Sequence, residues 1–312
     1  MLWIPSEDAF SYKIEISDRP YTKRGVLSAV ATLFDPCGYL TPLTFLAKAY
    51  IQQLWLQQID WDDPLPPSFH KSWDKFLDSL PALEQLRLPR CLARTNQPVE
   101  LHAFCDGSEL GYAAVLYMRT TKAPHQTYLL SGKSRVAPLK KVSIPRLELC
   151  GANLLAVLLR HISEQLAPHY RIESTHAWSD STTVLHWLQT PPYQLKTFVA
   201  NRVAHILELL PNTLWHYVDT KNNPADPASR GLLAPQLISH PLWWKGPKWL
   251  LDEPERWTAP GIPQLPSPLP ELKPTPKVLV SQPNYEPFQR AYDRASNYDR
   301  LLRIMAYAFR FV

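Results

Sequence analysis

The sequence predicts an α/β fold: a mixed five-stranded sheet flanked by helices, preceded by a mainly helical region and followed by a Pro-rich linker. Three observations predict it. Between residues 96 and 250, strand and helix patterns run strand, strand, strand, helix, strand, helix, helix, strand, helix, an order that builds a sheet with helices on its faces. Upstream, apolar residues recur at helical spacing over most of residues 1–95. Downstream, ten prolines crowd between Pro254 and Pro287, removing backbone donors and forbidding helix.

Composition sets outer bounds. A chain of 312 residues with 45% hydrophobic and 20% charged residues has room for a sizeable core. Lys plus Arg is 33 against 28 acids, so the net charge of +5 permits an anionic partner without demanding one. Cys37, Cys91, Cys105 and Cys150 are scattered with no CxxC pair, and read as free thiols of a reducing, intracellular compartment, cytoplasmic or nuclear. No apolar run reaches membrane-spanning length and no secretory leader is visible, so no membrane partner is expected.

The elements follow in order. "LWIPSEDAFSYKI" reads as two strand fragments around a turn. "TKRGVLSAVATLF" is a helix broken by "DPCG", and a second starts with Thr41 as N-cap and Pro42 at the first helical position. "SFHKSWDKFLDSLPALEQL" is a third, with Phe69, Trp73, Phe76, Leu77 and Leu80 on one side. "VELHAFCD" alternates, placing Leu101, Ala103 and Cys105 on one face and His102, Phe104 and Asp106 on the other. "YAAVLYMR" and "TYLLSGKSR" complete a three-stranded meander. A long helix begins after Ser143 and carries Glu148 in its first turn. "STHAWSD" and "LWHYVDT" are the fourth and fifth strands, with the helices "STTVLHWLQ" and "KTFVANRVAHILELL" between them and a last helix opening near Asp226. The expected divisions are 1–95 mainly helical, 96–250 the sheet domain, 251–288 the linker and 289–312 the start of a truncated helical segment. Both ends read as cuts through something longer.

Four acids stand at special places: Asp106 at the end of the first sheet strand, Glu148 on an otherwise apolar helix, Asp180 at the end of the fourth strand and Asp226 at the last helix. Each has a structural alternative. Asp106-Gly107 suits a turn, Glu148 answers a helix dipole, and Asp180 and Asp226 suit N-caps. Gly151 and Ala152, one turn beyond Glu148, leave room for a second backbone to approach.

The order Asp, Glu, Asp, Asp on this succession of elements resembles the ribonuclease H fold. The strings "FCDGSELGYAAVLY", "IPRLELCGANLLA", "WSDSTTVLHWL" and "NPADPASRG", with "RGVLSAVATLFDPCGYLTPL" upstream and "PLWWKGPKWL" downstream, resemble the ribonuclease H region of BEL/Pao-type LTR retrotransposon Pol polyproteins. The resemblance spans most of residues 20–250. It implies metal-dependent endonucleolytic hydrolysis of the RNA strand of RNA–DNA hybrids. Residues 1–95 would be a reverse transcriptase thumb or connection segment, with the polymerase palm upstream and an integrase downstream.

Such chemistry needs a nucleophilic water and stabilisation of two developing oxyanion charges, which two divalent ions about 3.5–4 Å apart supply. Hard carboxylate oxygens suit Mg²⁺ or Mn²⁺. By the resemblance, Asp106 bridges both ions, Glu148 and Asp180 serve the metal on the leaving-group side, and Asp226 serves the metal on the water side. Asp180 is then both a helix-start residue and a ligand. The loop "DTKNNPAD" lacks the histidine that some retroviral relatives carry before the last aspartate; His216 lies on a strand and is assigned no catalytic part.

Two other readings compete. The family also bears the label of a peptidase, but an aspartic protease needs Asp-[Ser/Thr]-Gly loops, and the nearest strings, "DGS" and "DST", lack that order. An inactive or domesticated fragment that binds nucleic acid without cutting it is the other. Finally, "SGKSRVAPLKKVSIPR" (131–146) holds Lys133, Arg135, Lys140, Lys141 and Arg146 with no acid. It reads as a solvated loop or, because it leads into the helix of Glu148, as a phosphate-contacting stretch.

Overall fold

The computed structural model describes residues 1–15, 21–93, 96–257, 261–265, 268–274 and 286–310. Parts of the expected linker (258–260, 266–267, 275–285), residues 94–95 and the last two residues of the expected helical segment lie outside the described residues. Two compact units are present, Met1–Lys273 and Pro274–Val312. In the second, α10 (Glu286–Arg294) and α11 (Tyr298–Ala308) are in contact, with Asn297 capping α11.

The first unit opens with β1 (Leu2–Ile4) and β2 (Ala9–Ser11), then α1 (Lys23–Ala31), α2 (Thr41–Leu56), α3 (Pro67–Ser79) and β3 (Leu88–Pro89). Two local expectations are corrected. Leu40, not Thr41, occupies the cap position of α2, and the Thr41 hydroxyl donates to Gly38 O at 2.7 Å. α3 stops at Ser79 and gives way to a 3-10 turn, Leu80–Gln85, because Pro81 cannot donate to a continuing helix. Phe69, Trp73, Phe76 and Leu80 are buried as that pattern requires.

The sheet follows: β4 (Pro98–Gly107), β5 (Gly111–Thr120), β6 (Thr127–Val136), α4 (Ile144–Leu166), β7 (Arg171–Ser179), α5 (Thr182–Gln189), α6 (Thr197–Leu209), β8 (Leu214–Tyr217) and α7 (Asp226–Arg230). Its order is β6-β5-β4-β7-β8, with the meander antiparallel and β4, β7 and β8 mutually parallel. α8 (Ala234–Ile238) and α9 (Pro241–Lys245) follow, and the unit runs on to Lys273. This is the mixed five-stranded sheet flanked by helices that the element order predicts.

Both faces of the sheet are buried. One carries Leu101, Ala103, Cys105, Ala114, Leu116 and Met118 under the apolar sides of α4, α5 and α6. The other carries Phe104, Ala113, Val115, Tyr117 and Trp178, covered by α2, α3 and the segment after α7. Trp243 of α9 seals this second face: its indole donates to Tyr39 O at 2.9 Å, and its carbonyl accepts Tyr117 OH at 2.6 Å. Arg119 is buried there as well, its guanidinium shared by Leu250 O, Asp252 O and Glu100 Oε2 at 2.6–2.7 Å.

A layer of imidazoles crosses β4, β7 and β8 on that face. His102 stacks on His176 with ring centroids 4.8 Å apart, and His176 Nδ1 lies 3.0 Å from His216 Nε2. Trp257 meets His102 and His176 edge-on at 4.9 and 5.1 Å. Burial holds His176 down to about 3 and His216 to about 4, and lowers His102 too, so the layer is neutral at pH 7.

The outer edge of β6 is covered. Gly132 N donates to Cys37 O at 3.4 Å, Gln52 of α2 donates to Ala137 O at 2.6 Å, and Lys48 reaches Ser134 O at 3.4 Å. β8, at the opposite side, has only four residues. All four cysteines are unpaired, and among the described residues no helix is long and apolar enough to cross a membrane.

Candidate active site

The parallel register of β4 and β7 pairs Cys105 with Ser179, so Asp106 and Asp180 follow at the carboxyl ends of neighbouring strands. α4 crosses this end at unusually short range. A Cβ at Gly151 would lie 2.7 Å from Asp106 O, and one at Gly107 would lie 2.5 Å from Glu148 N. Only glycines permit that approach, and it sets Glu148 beside Asp106. From the opposite face α7 brings Asp226 and Ser229, whose hydroxyl donates to Asp106 Oδ2. The four acids singled out in the sequence therefore converge from four elements.

Each carboxylate is held by a neighbour that the sequence reading missed. Ser181 Oγ donates to Glu148 Oε2 at 2.5 Å and accepts Val184 N, which makes Ser181 the N-cap of α5. The expectation that Asp180 starts this helix is thus corrected: the following serine fills the cap, and the Asp180 carboxylate is freed from it. Thr220 and Asn223 hydrogen-bond to Asp180 instead, and Asn223 also donates to Cys105 O at 3.0 Å. Arg230 Nε lies 2.6 Å from Asp226 Oδ1. All five partners stand in the strings "WSDST" and "DTKNNPADPASRG"; the i,i+4 spacing of Asp226 and Arg230 is a local signal, but nothing local marks which acid the other four would meet.

The electrostatics are those of a buried acid cluster compensated only in part, by Arg230. Burial, reinforced by the charges of Asp180 and Asp106, pushes Glu148 up to about 7 against the hydrogen bond from Ser181. Burial and the charge of Asp106 raise Asp180 to about 6. Asp106, 5% exposed, is raised by burial and by Asp226, with the Ser229 hydroxyl opposing. A cation among these groups would restore all three to carboxylates. Among the described residues no three His, Cys, Asp or Glu side chains are gathered closely enough to cage an ion as they stand. Each carboxylate is instead engaged by the hydrogen bonds just described, while the donor set, all hard oxygens around buried like charges, suits a small divalent cation.

The basic stretch divides. Lys133 and Arg135 project from β6, which runs on to Val136, so this half is strand and not loop; both are exposed, as are Lys140 and Lys141. Arg146 is engaged elsewhere, 2.8 Å from Glu271 and over the Phe198 ring at 4.8 Å. Glu271 belongs to the Pro-rich stretch, whose residues near 270 are docked: Leu272 bridges to Leu195, and Trp187 Nε1 donates to Pro270 O at 2.8 Å.

This strand order, with a helix laid across the carboxyl end of its central strand, defines a ribonuclease H-like domain. Residues 22–181, just over half of the chain, match the Pao retrotransposon-like RNaseH-like domain, and the chain belongs to that family. The match includes Asp106, Glu148 and Asp180 and ends before Asp226. No curated protein matches the chain. Similar solved structures include RNase H1 from the halophilic archaeon Halobacterium salinarum, at 13% identity and TM-score 0.31, covering 45% of this chain and 97% of that one. Another is the foamy viral protease-reverse transcriptase in complex with dsDNA, at 13% identity and TM-score 0.40, covering 66% of this chain and 40% of that one. A third is LC11-RNase H1 in complex with RNA/DNA hybrid, at 15% identity and TM-score 0.28, covering 41% of this chain and 91% of that one.

Proposed function

We propose that the chain is a metal-dependent endoribonuclease that hydrolyses the RNA strand of RNA–DNA hybrids, as part of a retrotransposon Pol polyprotein. One observation carries this reading: Asp106, Glu148 and Asp180 are brought together by the sheet and α4, and burial and the charge of a neighbouring acid raise each of them, Asp226 acting on Asp106, Asp106 on Asp180, and both Asp180 and Asp106 on Glu148. A structural role does not account for gathering groups that destabilise one another, whereas functional sites tolerate that cost. Mg²⁺ or Mn²⁺, two ions held by Asp106, Glu148, Asp180 and Asp226, would supply Lewis acidity toward the scissile phosphate and a water of lowered pKa.

The chain's own residues do the rest. Asp106 on β4 and Asp180 directly after β7 follow the paired Cys105 and Ser179, so the sheet fixes where their backbones stand. Ser181 orients Glu148, and Thr220 and Asn223 orient Asp180. Exposed Lys133, Arg135, Lys140 and Lys141 offer charge to the phosphates of a duplex. Residues 1–95 serve as the thumb or connection side of a reverse transcriptase.

The test is cleavage by the full chain of a hybrid labelled on each strand, beside duplex DNA of the same sequence. Cutting of the RNA strand alone, dependent on Mg²⁺ or Mn²⁺ and abolished by EDTA, is expected, because the 2′-hydroxyl distinguishes RNA from DNA. Hybrid binding without cutting in either metal would move the chain to the non-catalytic reading.

A further inference from the structure

The last turn of α7 carries two neighbouring side chains that each hold one of the acids. Ser229 is fully buried, donates to Asp106 Oδ2, and is anchored by its own carbonyl, which accepts Ser108 Oγ at 2.7 Å. Arg230 is the opposite case. Its guanidinium lies 2.6 Å from Asp226 Oδ1 with the arginine side chain 60% exposed and the aspartate 27%. Among the described residues Arg230 is the one cation ion-paired with any of the four acids, and its charge also acts on Asp106 and Asp180.

An i,i+4 pair on a helix surface is ordinarily a weak contact and needs no function. Two things set this one apart. It stands at the mouth of a cluster of buried acids that otherwise lacks positive charge, and it occupies the carboxylate through which Asp226 would bind a metal. The guanidinium takes one acceptor site of Oδ1 and places a positive charge beside the carboxylate, so an ion arriving there meets both a neutralised ligand and a like charge.

We propose that Arg230 is a positioning residue that substitutes for a cation at the Asp226 corner. It holds the acid cluster together in the metal-free chain and must leave Asp226 when metal enters. The inference rests on the metal-dependent reading above and adds to it a competitor built into the chain.

Mn²⁺ titration calorimetry on the full chain, with thermal melts in EDTA and in saturating Mn²⁺, tests it. Arg230→Gln should bind Mn²⁺ about tenfold more tightly, the factor expected from removing one opposing charge at contact range. It should also melt lower than wild type in EDTA and recover in Mn²⁺. Arg230→Lys, which keeps the charge without the fixed fork, should bind Mn²⁺ more tightly than wild type by a smaller factor, and it serves where the glutamine variant folds poorly. Wild-type Mn²⁺ affinity in both variants, or an equal melting deficit with and without metal, would sink the role of Arg230 while leaving the metal site standing. No Mn²⁺ heat from wild type or variants would overturn the metal reading and this inference together.

Discussion

Ser181 joins two elements through one hydroxyl: its Oγ donates to Glu148 Oε2 at 2.5 Å on α4 while accepting Val184 N at 3.2 Å in the first turn of α5. The start of α5 and the first turn of α4 are therefore set by the same atom. Ser181→Ala should lose about 1 kcal/mol for the cap and about 10–100-fold in hybrid cleavage, the usual cost of removing a partner that orients a ligand. Ser181→Thr, which keeps the hydroxyl, should recover most of both. Melting curves and cleavage rates measured on the pair check this; equal rates in the alanine variant and wild type would contradict it.

Replacing the acids should separate activity from stability. Asp106→Asn, Glu148→Gln, Asp180→Asn and Asp226→Asn should each lose more than the ~100-fold at the upper end for orienting partners, since an amide supplies no charge to a metal. Because Glu148 and Asp180 are buried against like charge, their amide variants should melt no lower than wild type in EDTA. Near-wild-type cleavage in Asp106→Asn or Asp180→Asn would remove these residues from the site.

The same two acids set a pH dependence. Their folded pKa values, about 7 and about 6, lie above those of unfolded chains, so without metal their contribution is lost as pH rises through those values. The histidine layer acts in the other direction. Its depressed values make the fold gain stability as pH rises toward about 6.5, the unfolded histidine value. A melting curve of wild type alone mixes the two. The melting difference between Glu148→Gln and wild type in EDTA isolates the acid and should widen from pH 5 to pH 8. A constant difference would show that Glu148 is not raised.

Salt dependence separates the basic residues. Lys140→Ala/Lys141→Ala should flatten the plot of log hybrid affinity against log salt, by about 0.9 for each phosphate no longer neutralised. Arg146→Ala should leave that slope alone, because Glu271 already occupies its guanidinium. Glu271→Gln releases Arg146 and should steepen the slope. A slope unchanged by the double lysine variant would leave those residues as a solvated loop.

The sheet was legible because its signals are local. Period-two alternation in "VELHAFCD" and turn chemistry at "DGSELG" are read within ten residues, and the four acids stand beside recognisable strings. The cover of the second face was not. His102 and Phe104 alternate with Leu101 and Ala103 as an exposed face would, yet Trp249 and Trp257, about 150 residues away in sequence, lie against them. Capping at Asp180 was misread because Asp and Ser are nearly equal caps, and only the Ser181–Glu148 contact decides between them. The docking of Glu271 was equally hidden: proline density specifies an extended backbone, not the surface that receives it.

The covered rim of β6 has a consequence for how the chain behaves in company. A long strand with free amides and carbonyls invites the same strand of another copy to pair with it. Here the segment around Cys37 and the side chain of Lys48 occupy backbone groups along β6, Gln52 bonds Ala137 just beyond its end, and β8 offers only four residues at the far side. A version trimmed to begin after residue 95 would lose that cover and, with it, the part of the second face's cover that α2 and α3 supply. Trimming should turn a well-behaved domain into an aggregating one, whatever it does to catalysis.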